Sequence, residues 1–264
     1  MSRDKLNQTS AVFRTVIVMS LGIGFLMMLA GCRLYEPPRY ARLEFAAGAP
    51  RTHVLFVGNS MTYYNDLPGL VQQLSAREAR PVQFDAVTAP FMSLQYHWWR
   101  GSAKGLLEHD RWDYVVLQDF SRKPATDPEG SAKYFELFDA EAQKAGARTV
   151  IFQNWTREGH ADEYDALAAT YREVQHQTHA SIAPIGLAWR LCAREHPEIE
   201  LLADDRHPTD AGTYLTGCVL YGVIYGKNPE TLPLNLTGPK LPVEQIMLLR
   251  RIAEQALRAA GSMN

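Results

Sequence analysis

A serine, a histidine and an aspartate in this chain have the residue types of a nucleophile, its base and the acid that orients the base. Ser60 follows an apolar run at 54–57 through Gly58, and Asp204 precedes His207 by three residues near the other end of the sequence. A serine hydroxyl is a weak nucleophile until a base removes its proton, and an imidazole does this best when a carboxylate holds its other ring nitrogen. We therefore expect folding to bring the three side chains together.

The elements that must position these groups alternate between two patterns. Short apolar runs typical of buried strands are followed by stretches with helical spacing of apolar residues. Such alternation predicts a parallel sheet covered by helices on both faces. The predicted strands are 54–57, 82–87, one within 113–121, 149–153 and 182–187, and the predicted helices are 68–79, 95–109, 131–146, 163–179, 209–225 and 243–260.

Gly58-Asn59-Ser60, together with Asp204-x-x-His207-Pro208 late in the chain, resembles the serine and Asp-His motifs of the SGNH (GDSL-like) hydrolase superfamily. The resemblance extends over about 54–229. It implies a flavodoxin-like α/β fold, a three-layer α/β/α sandwich with a five-stranded parallel sheet. It also implies a serine esterase in which Ser60, His207 and Asp204 are catalytic and no cofactor is needed.

The resemblance further implies an oxyanion hole, but two of its usual donors are replaced here. Within 88–94, where the family has a glycine, the chain has none, and Pro90 lacks an N–H group. The expected donors are therefore the backbone N–H of Ser60 and that of Phe91 or Ala89.

A third oxyanion donor is expected from the exit loop of the third strand. Phe120 falls where the family has an asparagine, and phenylalanine cannot donate a hydrogen bond. The side-chain amide of Gln118, two residues earlier, is the expected replacement. Asn59 and Asn154, each at the end of a predicted strand, are expected to contact substrate, although asparagine is also common in turns.

Other functions remain compatible with these residues. A glycan-binding protein on a scaffold that has lost its oxyanion hole would explain the missing glycine and Phe120. An acyltransferase would use the same catalytic residues as an esterase. A metal-dependent hydrolase using Asp204, Asp205 and His207 is less favoured. Asp205 adjoins Asp204 but does not have the spacing of the family motif, so it is not the expected acid of the triad.

The sequence predicts no metal site elsewhere. His176 and His179 are one helical turn apart, but no acidic residue in a known metal-binding pattern flanks them, so an exposed helix face is the expected explanation.

The amino terminus has the pattern of an exported lipoprotein. Basic residues precede an apolar run at 16–29, which is shorter than the roughly 20 residues that span a bilayer but suits a signal peptide. Leu29-Ala30-Gly31-Cys32 resembles a bacterial lipobox, which implies cleavage before Cys32 and lipidation of that cysteine. We expect a signal peptide at 1–31, a lipid-anchored linker at 32–52 and a hydrolase-like domain at 53–264. Arg33 at the next position implies the outer membrane if the source has two membranes.

Composition adds little about partners. The 264-residue chain has a formal net charge of −2 and no basic stripe with interleaved aromatic residues, so nucleic-acid binding is not expected. The expected partners are an ester substrate, small or part of a glycan, and a membrane reached only through the lipid anchor. The oligomeric state is not predicted. Cys192 and Cys218 lie in apolar stretches and are expected to be buried free thiols.

Overall fold

The computed structural model describes residues 39–234 and 238–261. Five parallel strands form one sheet in the order β2-β1-β3-β4-β5. They are β1 Thr52–Gly58, β2 Val82–Thr88, β3 Tyr114–Leu117, β4 Arg148–Phe152 and β5 Ser181–Ala183.

The helices that cover the sheet are α1 Ser60–Tyr63, α2 Leu67–Leu74, α3 Leu94–Arg100, α4 Ser102–His109, α5 Lys123–Thr126, α6 Pro128–Lys144, α7 Tyr164–Gln177, α8 Ile185–Glu195, α9 Asp210–Tyr225 and α10 Val243–Ala259. Short 3-10 turns lie at Tyr64–Asp66, Ala161–Glu163 and Pro229–Thr231.

Strand β1 shows why the sheet has helices on both faces. Its four central residues are fully buried, and successive side chains point to opposite faces. Val54 and Phe56 join the core under α2, α8, α9 and α10, whereas Leu55 and Val57 join the core under α3, α4, α6 and α7. The prediction of a flavodoxin-like three-layer α/β/α sandwich with a five-stranded parallel sheet is confirmed.

The strand order places a crevice beside β1. The chain moves from β1 outward to β2 and then returns to β3 on the other side of β1, so the direction of winding reverses between β1 and β3. Ligands of such sheets bind at the carboxyl ends of the strands, where the order reverses. Ser60 is the second residue after the carboxyl end of β1 and therefore lies at this crevice.

Several predicted elements have different bounds in the structure. The predicted helix at 68–79 ends at Leu74. The predicted helix at 95–109 is two helices, because Gly101 adopts a left-handed conformation (φ 75°) between them. The predicted strand at 182–187 ends at Ala183, and α8 begins at Ile185. Apolar residues continue from β5 into α8, so the hydrophobic pattern alone did not mark the boundary between the strand and the helix.

The described part of the predicted linker packs on the domain. Tyr40 is only 6% exposed and belongs to the hydrophobic core. The backbone N–H of Leu43 donates to the side chain of Gln72 in α2 at 2.9 Å. The predicted linker at 32–52 is therefore wrong from residue 39 onward, since its backbone groups have specific partners in the domain.

Cys32, the predicted signal peptide and the first residues of the predicted linker lie outside the described residues. Within the described ranges, no helix has the length and apolar character needed to cross a bilayer. Cys192 and Cys218 are free and buried, as predicted, and burial raises the pKa of the Cys192 thiol to about 11.

Candidate active site

The turn that follows β1 presents Ser60. Asn59 caps the short helix α1, because its side-chain oxygen accepts the N–H of Met61 at 3.1 Å. Gly58 is required for close packing, since a Cβ there would lie 2.3 Å from Thr62 Oγ1 and 2.7 Å from Gln118 Oε1. The serine side chain is therefore carried by a turn that has no room for a larger residue at its start.

The structure brings the three predicted triad residues into contact. His207 Nε2 lies 3.0 Å from Ser60 Oγ, and His207 Nδ1 lies 2.7 Å from Asp204 Oδ2. These contacts place the imidazole between the hydroxyl and the carboxylate, in the arrangement that lets a histidine accept the serine proton. His207 is partly buried, with 20% of its side chain exposed, so it remains reachable from the crevice.

Asp204 is held in its ionised form. Partial burial raises the pKa of its carboxyl group, but hydrogen bonds from the His207 N–H, the imidazole and the Arg206 N–H outweigh that effect and lower the pKa to about 2. Asp204 Oδ1 accepts the two backbone N–H groups at 2.7 and 2.8 Å, while Oδ2 faces the imidazole. A carboxylate fixed in this way keeps the Nδ1 proton on the imidazole.

A tight loop carries the acid and the base. Leu202 and Pro208 form an antiparallel bridge, and the N–H of Ala203 donates to His207 O at 2.8 Å. Asp205 faces away from the imidazole, because its carboxylate pairs with Arg157 and with Arg206 Nε. The two neighbouring aspartates thus have different partners.

Tyr64 supports the imidazole from its face, a contact that was not predicted from the sequence. The two rings are stacked, with centroids 4.6 Å apart and planes inclined by 13°. The N–H of Tyr64 donates to Ser60 O, so the same residue contacts both the nucleophile turn and the base. An aromatic residue four positions after the candidate nucleophile was the signal available in the sequence.

Phe91 provides the backbone geometry for which the family uses glycine. Ala89 to Met92 form a turn with Pro90 at its second position and Phe91 at its third, where φ is 60°. This is the pattern of a type II turn, whose third position normally takes glycine. The conformation costs a residue with a side chain about 1–2 kcal/mol.

The N–H groups of Ser60 and Phe91 have no hydrogen-bond partner among the described residues. The N–H of Ala89, the alternative donor, is already used by Gly58 O at 3.3 Å. Asn59 Nδ2 donates to Met92 O at 2.9 Å and so connects the Phe91 turn to the nucleophile turn. Ser60 and Phe91 are the pair of backbone donors that remains available for an oxyanion.

Gln118 does not occupy its predicted place. The residue is fully buried, and its Oε1 accepts the N–H of Asn59 at 2.9 Å and the hydroxyl of Thr62 at 3.0 Å. Its Nε2 donates to Asp119 O and faces Asn154 Oδ1. The prediction of a direct oxyanion donor is wrong, because both ends of the amide bind protein groups behind the serine.

Asn59 and Asn154, the predicted substrate contacts, are also buried, at 2% and 1% exposed. Asn59 binds the backbone of Met61 and Met92, as described above. Asn154 Nδ2 donates to the carbonyl groups of Asp119 and Ser121, both at 3.1 Å. Both predictions are corrected: these amides satisfy backbone groups at the ends of the strands, where water does not reach.

Two buried titratable groups support the same loops. His97 Nε2 contacts Gly58 O at 2.8 Å, and burial lowers the pKa of this histidine. Asp119 accepts the N–H groups of Leu94 and Phe120 and the hydroxyl of Ser131, and burial raises the pKa of its carboxyl group. Asp119 is the second residue after β3, so its position just beyond a buried strand was a usable signal.

The outer rim of the crevice is formed by an exposed ring and a cation. Phe91 is 67% exposed, and the Arg206 guanidinium lies 5.8 Å from the centre of its ring. His176 on α7 and His179, two residues after the end of that helix, are both exposed. No group of three or more His, Cys, Asp or Glu side chains within 39–234 and 238–261 is arranged to hold a metal ion.

Comparison with solved structures identifies proteins of the same fold. A protein from Slackia heliotrinireducens assigned to the SGNH hydrolases is 26% identical, with a TM-score of 0.57 over 65% of this chain and 97% of the other. A DUF4886 family protein from Bacteroides uniformis is 14% identical, with a TM-score of 0.67 over 81% and 97%. An acetyl xylan esterase is 14% identical, with a TM-score of 0.52 over 65% and 99%. No protein-family model and no curated protein matches the sequence.

Phe91→Gly is expected to keep activity and to stabilise the protein. Glycine adopts φ 60° without steric cost and retains the N–H, so kcat/KM should stay within about threefold while the free energy of unfolding rises by about 1 kcal/mol. Ester hydrolysis and urea denaturation measure the two quantities. Phe91→Ala, which removes the ring but keeps the left-handed strain, is the matched control. If both variants lose more than about tenfold in kcat/KM, the ring and not the N–H is what the site requires.

Proposed function

Because the chain belongs to the SGNH hydrolase superfamily, we propose that it is a serine esterase that hydrolyses carboxylic esters through Ser60, His207 and Asp204. The observation that carries the proposal is the continuous contact from Ser60 Oγ to His207 Nε2 at 3.0 Å and from His207 Nδ1 to Asp204 Oδ2 at 2.7 Å. Both distances are within hydrogen-bonding range, and the crevice at the end of β1 gives a substrate access to the serine.

The reaction proceeds in two acyl-transfer steps. Ser60 Oγ attacks the ester carbonyl carbon while His207 Nε2 takes the hydroxyl proton, and the tetrahedral intermediate collapses as the imidazolium gives that proton to the departing alkoxide. Water then attacks the acyl-enzyme, again losing a proton to His207, and the acid leaves as Ser60 regains its hydrogen. Asp204 stays ionised throughout and stabilises the imidazolium, consistent with its lowered pKa.

The negative charge on the carbonyl oxygen is stabilised by backbone donors. The N–H groups of Ser60 and Phe91 fill this role, and each such donor is worth about a hundredfold or more in rate. The left-handed backbone at Phe91 retains the turn that a glycine would form, so the replacement of the glycine does not favour a scaffold that only binds glycans.

The substrate class is proposed from context. The acetyl xylan esterase of the same fold acts on an acetylated polysaccharide, and the amino-terminal pattern of this chain indicates export. Acetyl or other short acyl esters of carbohydrates fit both observations. A panel of acetylated sugars and of aryl esters with increasing acyl length identifies the preferred ester.

Ser60→Ala is expected to abolish hydrolysis of a short-chain aryl acetate and to prevent labelling by a fluorophosphonate, because Ser60 provides the hydroxyl that contacts His207 Nε2 among the described residues. Wild-type protein should be labelled at one site, located by peptide mass analysis. Undiminished hydrolysis by the purified variant would refute the esterase proposal. Transfer of the acyl group to added sugar in preference to water would instead identify an acyltransferase.

Asp204 and Asp205 form a matched pair for testing the acid. Asp204→Ala removes the partner of His207 Nδ1, and we expect a loss of about ten-thousandfold in kcat. Asp205→Ala removes partly exposed ion pairs with Arg157 and Arg206, which contribute little, so kcat should stay within about threefold. Steady-state kinetics on the two variants measures the difference, and equal losses would contradict the assignment.

We also propose that Cys32 carries a lipid anchor after removal of residues 1–31. The lipobox-like Leu29-Ala30-Gly31-Cys32 supports this proposal. In a bacterial host, metabolic labelling with a radioactive fatty acid should mark the wild-type protein and not Cys32→Ala. Equal labelling of both would exclude this site.

A further inference from the structure

The segment that precedes β1 is bound to the turn that follows the candidate nucleophile. Asp66, which is fully buried, accepts the backbone N–H groups of Arg39 and Tyr40 on Oδ2, at 3.0 and 3.3 Å. The guanidinium of Arg42 donates to both carboxylate oxygens, at 2.7 and 2.8 Å. A buried carboxylate with this many donors is a rigid attachment point, because any movement would leave a charge unpaired.

The turn held by Asp66 has an unusual backbone. Asn65 and Asp66 both adopt left-handed conformations, with φ of 54° and 56°. Asparagine and aspartate tolerate this region better than other residues with side chains, yet two in succession persist only where surrounding contacts impose them. The contacts of Asp66 with residues 39–42 are of this kind.

The strained turn is adjacent to the catalytic base on two sides. Tyr64, immediately before it, stacks on the His207 ring with centroids 4.6 Å apart. Asn65 Nδ2 donates to Pro208 O at 2.8 Å, directly after His207, and to Thr213 Oγ1 at 3.0 Å. The position of the imidazole therefore depends on a turn whose conformation depends on residues 39–42.

The packing around Asp66 leaves no space for an alternative arrangement. A Cβ on Gly69 in α2 would lie 2.0 Å from Arg42 Nη1 and 2.4 Å from Asp66 Oδ2. In contrast, Arg39 and Asp210 form an exposed ion pair at 2.8 Å, which contributes little. The pair of the buried Asp66 carboxylate and the partly exposed Arg42 guanidinium is thus the contact that matters most.

We propose that Asp66, held by residues 39–42, is a positioning residue that acts through Tyr64 to keep the His207 imidazole in place for the reaction. The inference rests on the proposed function, because it assigns a role in the activity of the same triad. According to this inference, residues 39–42, which were predicted to belong to a linker, help to hold the His207 imidazole in position.

A double-mutant cycle between Asp66 and Tyr64 tests the proposal in the full-length protein. We expect Asp66→Asn and Tyr64→Ala each to lower kcat about tenfold with KM within about twofold, because the base and not the substrate contact is disturbed. The kcat of the double variant should lie within about twofold of the kcat of the slower single variant, because both changes disturb the same contact between the turn and the imidazole. The rate of fluorophosphonate labelling should fall in parallel.

A matched control separates positioning from general stability. Arg250 is 3% exposed and bonds Tyr214 and the carbonyl groups of Leu232 and Pro233, with no contact to the triad. Arg250→Met should lower the melting temperature but leave kcat within about twofold at temperatures well below the transition. If Asp66→Asn does not fold, Gly69→Ala displaces the same pair with one methyl group and replaces it in the cycle.

The outcomes distinguish this inference from the proposed function. If the wild-type protein shows neither fluorophosphonate labelling nor turnover, the esterase proposal is refuted. The positioning role can then still be tested, because the 15N resonances of the His207 ring should shift in Asp66→Asn. An active wild type with kcat and ring resonances unchanged in Asp66→Asn, or losses that multiply in the double variant, would overturn the positioning role.

Discussion

The candidate site depends on satisfying the backbone groups at the carboxyl ends of buried parallel strands. Strand β1 ends where water does not reach, and the Gln118 amide accepts the N–H of Asn59 and the hydroxyl of Thr62. In the loop that follows β3, the Asn154 amide donates to the carbonyl groups of Asp119 and Ser121. Because unpaired buried polar groups are costly, these amides are fixed in place, and the turn that carries Ser60 is fixed with them.

A second support acts on the base. His207 is held edgewise by Asp204 and on its face by Tyr64, and the loop that carries it is closed by the bridge between Leu202 and Pro208. Left-handed backbone at Asn65 and Phe91 lies on two of the turns around the crevice. Strained conformations concentrated around a reactive group are typical of functional sites, where the surrounding packing imposes them.

Much of the fold was accessible from the sequence because its signals are local. Apolar runs such as 54–57 mark buried strands, and the alternation with helices specifies a parallel sheet with two covered faces. Boundaries were less accessible where apolar residues cross them, as at Ala183 and Ile185. The inward packing of Tyr40 was also missed, since the prolines and glycines around it indicate a flexible segment.

For the site, the sequence by itself determined the residue types of the candidate triad, because a serine after a buried strand, followed late in the chain by an aspartate and a histidine three residues apart, is typical of a nucleophile, its orienting acid and its base. The tertiary structure decided which polar groups face the crevice and which are buried behind it. Asn59, Gln118 and Asn154 have the right residue types for substrate contacts, but their amides are bound to backbone groups. The stacking of Tyr64 on the His207 ring joins segments distant in the chain, so the aromatic residue type alone did not reveal the contact.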